Sequence, residues 1–421
     1  MLVNVTWEEA LEYLLDFITP LPRELVSLKQ ALGRVISRDI FVTRDIPSHP
    51  QSAVDGYAIH IDDVGLRTSF VIKNYICKGN FYVSPLSPGQ AVGVLTGSPL
   101  PAGTGAVIPK ESVIVDENRV VFAGKISPGS NIRQAGEDFR SGELLVKRGT
   151  ILDPGMIGVL AALGYGEVPV YRRPRVAILS LGHEIVPCHV TPAPGQVRDS
   201  NGPLLASLVS RDGGEVVGVE IAGDENAGGA KKRLQRLLQN ADLVLTIGGT
   251  ASGACDQALP VLRQTGARPL FWGIRIKPGS HSGAAIHDSR LVISLSGNPA
   301  ACAVGYQLLA APVLRAFQAL NPYPYRIHAL CTDRFPKKGG PRRFLRGHAV
   351  CRQDGWEVKL LPGQKSSMLR SLINWNALID LLAGHPPLEP GSKVPTLLLT
   401  PLPLEKGELT GERYPAHPGN S

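Results

Sequence analysis

The spacing of apolar residues switches along this chain between a helical period and a strand period, and the switches divide it into segments. Near the start, Thr6-Trp7-Glu8-Glu9 reads as a capping box, in which a hydroxyl and a carboxylate three residues apart each satisfy a free backbone N–H. Ala10, Leu11, Leu14, Leu15 and Ile18 then share one helical face, and Pro20 stops it. Ser27–Gln30 opens a second short helix. From Asp39 to about Gly142 the pattern is β: Val92–Leu95, Ala106–Ile108, Val113–Val115 and Val120–Phe122 alternate with Pro/Gly turns. Ile151–Gly164 returns to helix, with Gly164 as its stop.

From Arg175 to about Leu320 strands alternate with helices. Val176–Leu179, Val216–Ile221, Leu243–Ile247 and Leu291–Leu295 read as strands. Helices are predicted from a cap at Asn201 to Val209, then over Ala227–Leu238, Asp256–Gln264 and Pro299–Leu320. This order predicts a doubly wound, mostly parallel sheet. Beyond Pro322, the runs Arg326–Cys331, Phe344–Val350, Trp356–Leu361, Ala377–Leu382 and Val394–Leu399 suggest a small β-barrel. The expected organisation is multidomain α/β. It comprises a discontinuous N-terminal helical/linker domain (1–45 and 143–174), a β-rich insertion domain (46–142), an α/β domain (175–321), a C-terminal β-barrel (322–405) and a flexible tail (406–421).

Composition narrows the function classes. With 43% hydrophobic and 19% charged residues the chain is a folded protein. A net charge of +8 favours anionic partners. Lys231-Lys232-Arg233 opens a helical pattern as its solvated face, and no basic run is interleaved with aromatics. The reading is therefore a small anionic ligand and not nucleic acid. No apolar run reaches the ~18 residues of a membrane span, and no signal peptide is visible. The six cysteines are scattered without a CxxC pair, which fits a reducing cytoplasm and excludes a structural zinc site.

Three glycine-bearing loops follow three of the predicted strands: Ser180-Leu181-Gly182, Gly248-Gly249-Thr250 and Ser296-Gly297-Asn298-Pro299. In a parallel sheet the strand C-termini share one edge, where ligands bind. Glycine lets backbone N–H groups approach a phosphate there. Glu184, Asp224 and Asp256 fall at the same predicted edge. They are either Mg²⁺ ligands, acting with substrate phosphates, or helix caps. Lys277, fixed by Pro278-Gly279, is an oxyanion ligand or a turn lysine. Ser52-Ala53-Val54-Asp55-Gly56-Tyr57-Ala58 is a turn joining two domains or part of a substrate site.

These strings, taken in order, resemble the MoeA family, which includes the E domain of gephyrin. Ser52–Ala58 resembles its SAMDGYA signature, and Thr96–Pro101 its TGAPLP segment. Ile132-Arg133 with Gly136-Glu137-Asp138 resembles IRxxGED, and Ser180–Glu184 resembles STGDE. Gly195-Gln196 with Asp199-Ser200-Asn201 is similar to GQIxDSN, and Gly248–Asp256 to GGVSxGDxD. Lys277-Pro278-Gly279 matches KPG, Ser296–Pro299 is similar to PGNP, and Arg342, Ser366–Leu369 and Asn376 echo the C-terminal domain. The resemblance implies an elongated homodimer with a MogA/MoaB-like α/β domain. It implies a molybdopterin molybdenumtransferase that inserts molybdate into adenylylated molybdopterin and releases AMP, aided by Mg²⁺ or a similar divalent cation.

By position, Asp138, Glu184, Asp224 and Asp256 inherit catalytic roles, the last three as metal ligands. Asp55, Thr96, Gly97, Gly182, Gly248, Gly249, Lys277, Gly279, Ser296, Gly297, Asn298, Arg342 and Ser366 inherit substrate binding, with Lys277 and Arg342 meeting phosphate or molybdate. The resemblance also places the site between subunits, and allows transient contact with a MogA-like adenylyltransferase or with molybdoenzymes. This chain departs from the family at Pro50, Leu181, His183, Ala254 and Ser280-His281. Three of those departures remove carboxylates. They motivate the alternative of a non-catalytic paralogue that binds molybdopterin or finished cofactor for storage, sensing or delivery.

Overall fold

The computed structural model describes residues 1–76, 84–223, 228–250 and 257–399. It forms two compact units: residues 1–25, 33–35 and 169 onward make the first, and residues 26–32 with 36–168 the second.

The first unit is built on strands β1 (Leu2–Val5), β2 (Arg175–Leu181), β3 (Glu215–Ala222), β4 (Leu243–Ile247), β5 (Arg268–Ile274), β6 (Gly283–His287) and β7 (Arg290–Leu295). Their spatial order is β1-β5-β6-β7-β4-β2-β3. β7, β4, β2 and β3 are mutually parallel, whereas β6 is antiparallel to both its neighbours. The sheet is thus mixed, where the sequence pattern predicted one that is mostly parallel. β5 and β6 carry no clean apolar alternation because their packing uses a bulky residue against none. A Cβ on Gly283 would lie 2.2 Å from the Trp272 ring.

Side chains alternate across the sheet as a strand requires. Leu243, Leu245 and Ile247 face one core layer and Val244 the other. The first layer holds α1 (Trp7–Leu15), α2 (Asn201–Arg211) and the helical stretch Pro299–Phe317. The second holds α3 (Gly228–Asn240) and α4 (Ala258–Gln264). Both halves of the predicted capping box form: Thr6 Oγ1 accepts from Glu9 N (3.1 Å) and Glu9 Oε2 from Thr6 N (2.6 Å). Because β1 pairs with β5, residues 1–25 belong to the α/β unit and not with the linker segment to residue 45. Ser27–Gln30 is one 3₁₀ turn following a strand over Arg23–Ser27.

Two helical expectations are corrected. Asn201 does not cap α2; it is the first helical residue, and Asp199 Oδ1 accepts from Gly202 N (2.8 Å) instead. The expected helix Pro299–Leu320 is α over Pro299–Gly305, π over Tyr306–Ala310 and α again over Ala311–Phe317. Pro312 lacks an N–H and cannot donate to the Leu308 carbonyl one turn earlier. Trp7 Nε1 donates to it (2.9 Å), tying α1 to the interruption. Against the expectation that no apolar run is long enough to span a membrane, this 19-residue stretch has the length and mean hydropathy (1.4) of a span, yet 89% of its most apolar window is buried in the protein.

The C-terminal strands β8 (Tyr325–Cys331), β9 (Arg342–Arg352), β10 (Gly355–Leu360), β11 (Ala377–Leu381) and β12 (Lys393–Leu398) lie close to their expected bounds. Their order β9-β10-β8-β12-β11 closes on itself through β9–β11 pairing, giving the expected barrel around Ile327, Leu345, Val358 and Ile379. The two-residue strand Ile276–Lys277 pairs alongside β9.

The second unit holds a sheet with strand order 104–109, 56–60, 90–94, 69–76, 119–122 and 113–116. Tyr57, Ile59, Phe70 and Val120 fill one face; Ala58, Val92 and Val107 fill the other. Its helix Pro154–Ala162 starts where Asp153 Oδ1 accepts from Met156 N (2.8 Å) and stops before Gly164, whose φ of 85° breaks it.

Candidate functional site

The three glycine loops meet on one rim of the sheet. The registers Ser180↔Ile247, Ile247↔Leu295 and Leu181↔Ala222 bring the C-terminal ends of β2, β3, β4 and β7 to the same level. Gly248 N donates to Leu295 O (3.0 Å), and the Asn201 amide, freed from capping, donates to Gly297 O (2.7 Å). The contacts leave no room for side chains: a Cβ on Gly248 would lie 2.7 Å from Leu181 O, and one on Gly297 3.3 Å from Gly248 Cα. Gly248 and Gly249 have φ of 80° and 62°, a backbone region that favours glycine. Beneath the rim, buried Asp199 accepts from Ser180 Oγ (3.1 Å) as well as Gly202 N. Asp199 thus anchors the rim, a role the sequence reading missed, although the residue stands in a motif it quoted.

A cavity of about 1790 Å³ in this unit is lined by Lys277, Gly279, Ser296, Asn298, Arg342 and Ser366, all predicted site residues. Ser296 and Asn298 belong to the third rim loop as well, so rim and cavity are continuous. Trp7, Glu8, Tyr323 and Tyr325 complete an amphipathic wall. The Lys277 ammonium has no hydrogen-bonding or ionic partner among the described residues, which leaves it available to an anion.

Arg342 is not in that condition. Its Nε and Nη2 fork onto both oxygens of Asp380 (2.6 and 2.7 Å), and Nη1 donates to Glu8 (2.6 Å). The guanidinium lies 5.1 Å from the ring centroids of both Trp7 and Phe344. Burial works to lower its pKa, but the hydrogen bonds and charge of Asp380, then of Glu8, outweigh it and raise the value. Arg326 shares Asp380. Arg342 thus cross-links α1, β9 and β11 while it also lines the cavity. The signal that could have revealed this is Asp380, an acidic residue in the middle of an otherwise apolar strand.

Of the proposed metal ligands, Glu184 follows β2; its carboxylate folds back to within 2.7 Å of where a Gly182 Cβ would stand, and lies 3.7 Å from His183 Nδ1. Asp224 and Asp256 lie outside the described residues. Among the described residues no group of three potential metal-ligating side chains comes together.

Asp55, Thr96, Gly97 and Asp138 belong to the second unit. Asp55 Oδ1 accepts from Thr96 N and Oγ1, both at 2.8 Å, and Oδ2 from Lys110 Nζ at 3.1 Å. The Thr96 N–H, then its hydroxyl, then Lys110 pull the Asp55 pKa down to about 2. Gly97 N donates to Ser52 O (2.8 Å) and Ser52 N to Ser98 O (3.0 Å), so the Ser52–Ala58 string holds the Thr96–Ser98 loop. A Cβ on Gly56 would lie 2.0 Å from Ile108 O, which explains that glycine. Asp138 is exposed, its N–H on Ile46 O (3.0 Å).

Comparison with known proteins matches three family descriptions in chain order. "MoeA N-terminal region (domain I and II)" covers residues 5–164, "Probable molybdopterin binding domain" 177–316, and "MoeA C-terminal region (domain IV)" 328–399. A molybdopterin molybdenumtransferase of Staphylococcus aureus is 29% identical over 397 residues, covering 93% of this chain and 94% of its own. One from Staphylococcus epidermidis is 29% identical over 379 residues, covering 89% and 90%. A solved molybdopterin biosynthesis MoeA protein of Pyrococcus horikoshii superposes with a TM-score of 0.76 at 28% identity, over 94% of this chain and all of that one. Another structure of a MoeA protein from that genus gives 0.83 at 26% identity, over 95% of this chain and 100% of its own.

Proposed function

Because this chain belongs to the MoeA family, we propose that it is a molybdopterin molybdenumtransferase, inserting molybdate into the dithiolene of adenylylated molybdopterin with release of AMP. The observation that carries the reading is the continuity of the glycine rim with the Lys277 cavity through Ser296 and Asn298. The rim offers backbone N–H groups to phosphate oxygens. The cavity offers one unpaired ammonium and polar Ser296 and Ser366 to an oxyanion. The substrate's own sulfurs form the bonds to molybdenum, so the protein contributes positioning and charge compensation rather than a nucleophile.

We assign Glu184, Asp224 and Asp256 to a Mg²⁺ or similar ion. Carboxylates are the hard oxygen donors such an ion takes, and substrate phosphates would complete its shell. When bound, it neutralises phosphate charge. We further assign a homodimer. The helix Pro154–Ala162 is apolar throughout yet buries only Leu160, and Ile151 and Leu144 near it in sequence are also exposed, which fits a second copy as cover. The remaining domain boundaries, with residues 1–25 moved to the α/β unit, a cytoplasmic location and transient contacts with a MogA-like adenylyltransferase and with molybdoenzymes complete the proposal. The cysteines Cys188, Cys302, Cys331 and Cys351 are unpaired, as a reducing compartment favours.

The second reading, a non-catalytic binder of molybdopterin, is favoured by His183 standing beside Glu184 where the resemblance expects a carboxylate. Complementation separates the two. Expression in a strain lacking its own molybdenumtransferase should restore molybdoenzyme activity, and Asp256→Ala should abolish the rescue. Tight molybdopterin binding without any rescue would select the second reading.

A further inference from the structure

Arg343 is the second residue of β9, and it faces into the barrel. Leu345 and Ala349 on that strand belong to the barrel core, as does Leu381, the residue paired with Arg343 on β11. By strand alternation Arg343 points with them, at the end of the barrel where β9 begins. Arg342 and Arg346 point the other way, and both have acceptors. Arg342 has Asp380 and Glu8; Arg346 has Ser371 Oγ and the carbonyls of Gly363 and Lys365. The Arg343 Nε, by contrast, is buried without an acceptor. Its Nη2 lies 3.3 Å from where a Cβ on Gly340 would stand, so that glycine leaves the room the guanidinium occupies.

Two turns, 335–341 and 382–388, meet at this end. Gly339 N donates to His385 O (2.7 Å) and Gly384 N to Gly340 O (3.0 Å). At their base Phe335 N donates to Leu388 O (2.8 Å) and Leu388 N to Phe335 O (2.9 Å). His385 is thereby held against the glycines that border Arg343. It is 8% exposed, and its ring centroid lies 6.2 Å from that of Phe335. Its Nδ1 is 2.8 Å from Pro386 O and so carries the ring proton. Nε2, the acceptor of the neutral ring, is buried with no donor. A guanidinium nitrogen without an acceptor and an imidazole nitrogen without a donor thus stand at one barrel mouth, and buried polar atoms in that state are costly. Segments 335–343 and 382–388 contain no acidic residue, while Lys337 and Lys338 are exposed on the first. The ion that complements such a set is anionic, accepts from a guanidinium and donates one O–H. Hydrogen phosphate has all three properties, whereas sulfate and an ionised carboxylate only accept.

We propose that this barrel mouth binds hydrogen phosphate. Arg343 donates to its oxygens, His385 Nε2 accepts from its O–H, and Lys337 and Lys338 draw the ion in. The site lies on the opposite face of β9 from the Lys277 cavity, which Arg342 lines, and it does not depend on the transferase reading. The test is an NMR titration of the full chain carrying ¹³C-labelled histidine, with the His385 ring signal assigned from its loss in His385→Phe. That signal reports this mouth and not the glycine rim. Sodium phosphate at constant ionic strength should shift it saturably, with a Kd of about 1 mM or tighter. Sulfate and methyl phosphate, whose dianions have no O–H, should bind about tenfold more weakly or worse. The methyl phosphate arm separates the free ion from a phosphate group on a larger molecule. Arg343→Met, which keeps the aliphatic stem, should weaken phosphate about tenfold or more, and the Lys337→Ala, Lys338→Ala double variant about threefold. In phosphate-free buffer Arg343→Met should melt no lower than wild type, because it removes a charge that no carboxylate balances. The proposal is overturned by an unmoved or unsaturable His385 signal at about 20 mM phosphate, or by sulfate or methyl phosphate binding as tightly. It is equally overturned if Arg343→Met keeps wild-type affinity, or melts lower by more than about 4 °C, which would make the arginine a structural prop.

Discussion

Replacing Asp380 by Asn should destabilise the first unit out of proportion to a one-atom change. Asp380 is 1% exposed and accepts from Arg342 through both oxygens and from Arg326. Neutralising it removes the carboxylate that Arg342 and Arg326 share and leaves Arg342 paired with Glu8. Removing one partner from a buried ion pair costs about 3–5 kcal/mol, mostly because the surviving charge is stranded. Glu8 makes its own bond to Arg342, but its side chain is 31% exposed, so water can replace it. Glu8→Gln should therefore cost no more than about 1 kcal/mol. All four tryptophans (Trp7, Trp272, Trp356 and Trp375) fall in the first unit, so their fluorescence follows that unit through a urea titration. With a slope of roughly 2–3 kcal/mol per molar, the Asp380→Asn midpoint should drop by about 1–2 M. The reasoning is refuted if that midpoint moves by under about 0.3 M, or if Glu8→Gln moves it as far.

Three further outcomes follow from the site. The depressed pKa of Asp55 means that its bonds to Thr96 and Lys110 stabilise the fold above the ordinary carboxylate value of 3.8 and are lost as pH falls through about 2. A carboxyl-carbon NMR titration should therefore show Asp55 still ionised at pH 3, and a midpoint near 4 would contradict the geometry. Gly248→Ala places a Cβ 2.7 Å from Leu181 O at a φ of 80°, whereas Gly97→Ala meets open space at a φ of 79°. The first should weaken AMP binding about tenfold or more, while the second should cost only the ~1–2 kcal/mol of the left-handed backbone, read by thermal unfolding. Lys277→Met should raise the KM for molybdate at least about tenfold with little change in melting temperature, as expected for an unpaired charge that meets only ligand. Equal KM values would remove Lys277 from the site.

The parts of this architecture that repeat a short physical rule were legible in the sequence. The capping box at Thr6–Glu9, the strand Leu243–Ile247 and the barrel strands each satisfy a periodicity or a cap that few residues decide. The convergence of Gly182, Gly248 and Gly297 was equally legible, because parallel strands in one sheet leave no other place for their loops. What escaped were features that depend on two distant positions at once. β5 and β6 pack through Trp272 against Gly283, which alternation cannot express. The break at Tyr306–Ala310 needs Pro312 together with the Trp7 indole. Asp199, Asp380 and Arg346 are buried polar residues in or beside apolar strands. A sequence window marks them as anomalies without naming their partners. The motif marks Arg342 as a candidate anion ligand, but its contacts with Asp380 and Glu8 are not legible in it.

The most direct test is AMP release from adenylylated molybdopterin, measured on the purified full chain with molybdate and Mg²⁺. The account predicts one AMP per molybdenum inserted, dependent on molybdate and saturating with it. Substrate that binds yet stays adenylylated under those conditions would contradict the transferase and leave a carrier of the pterin in its place.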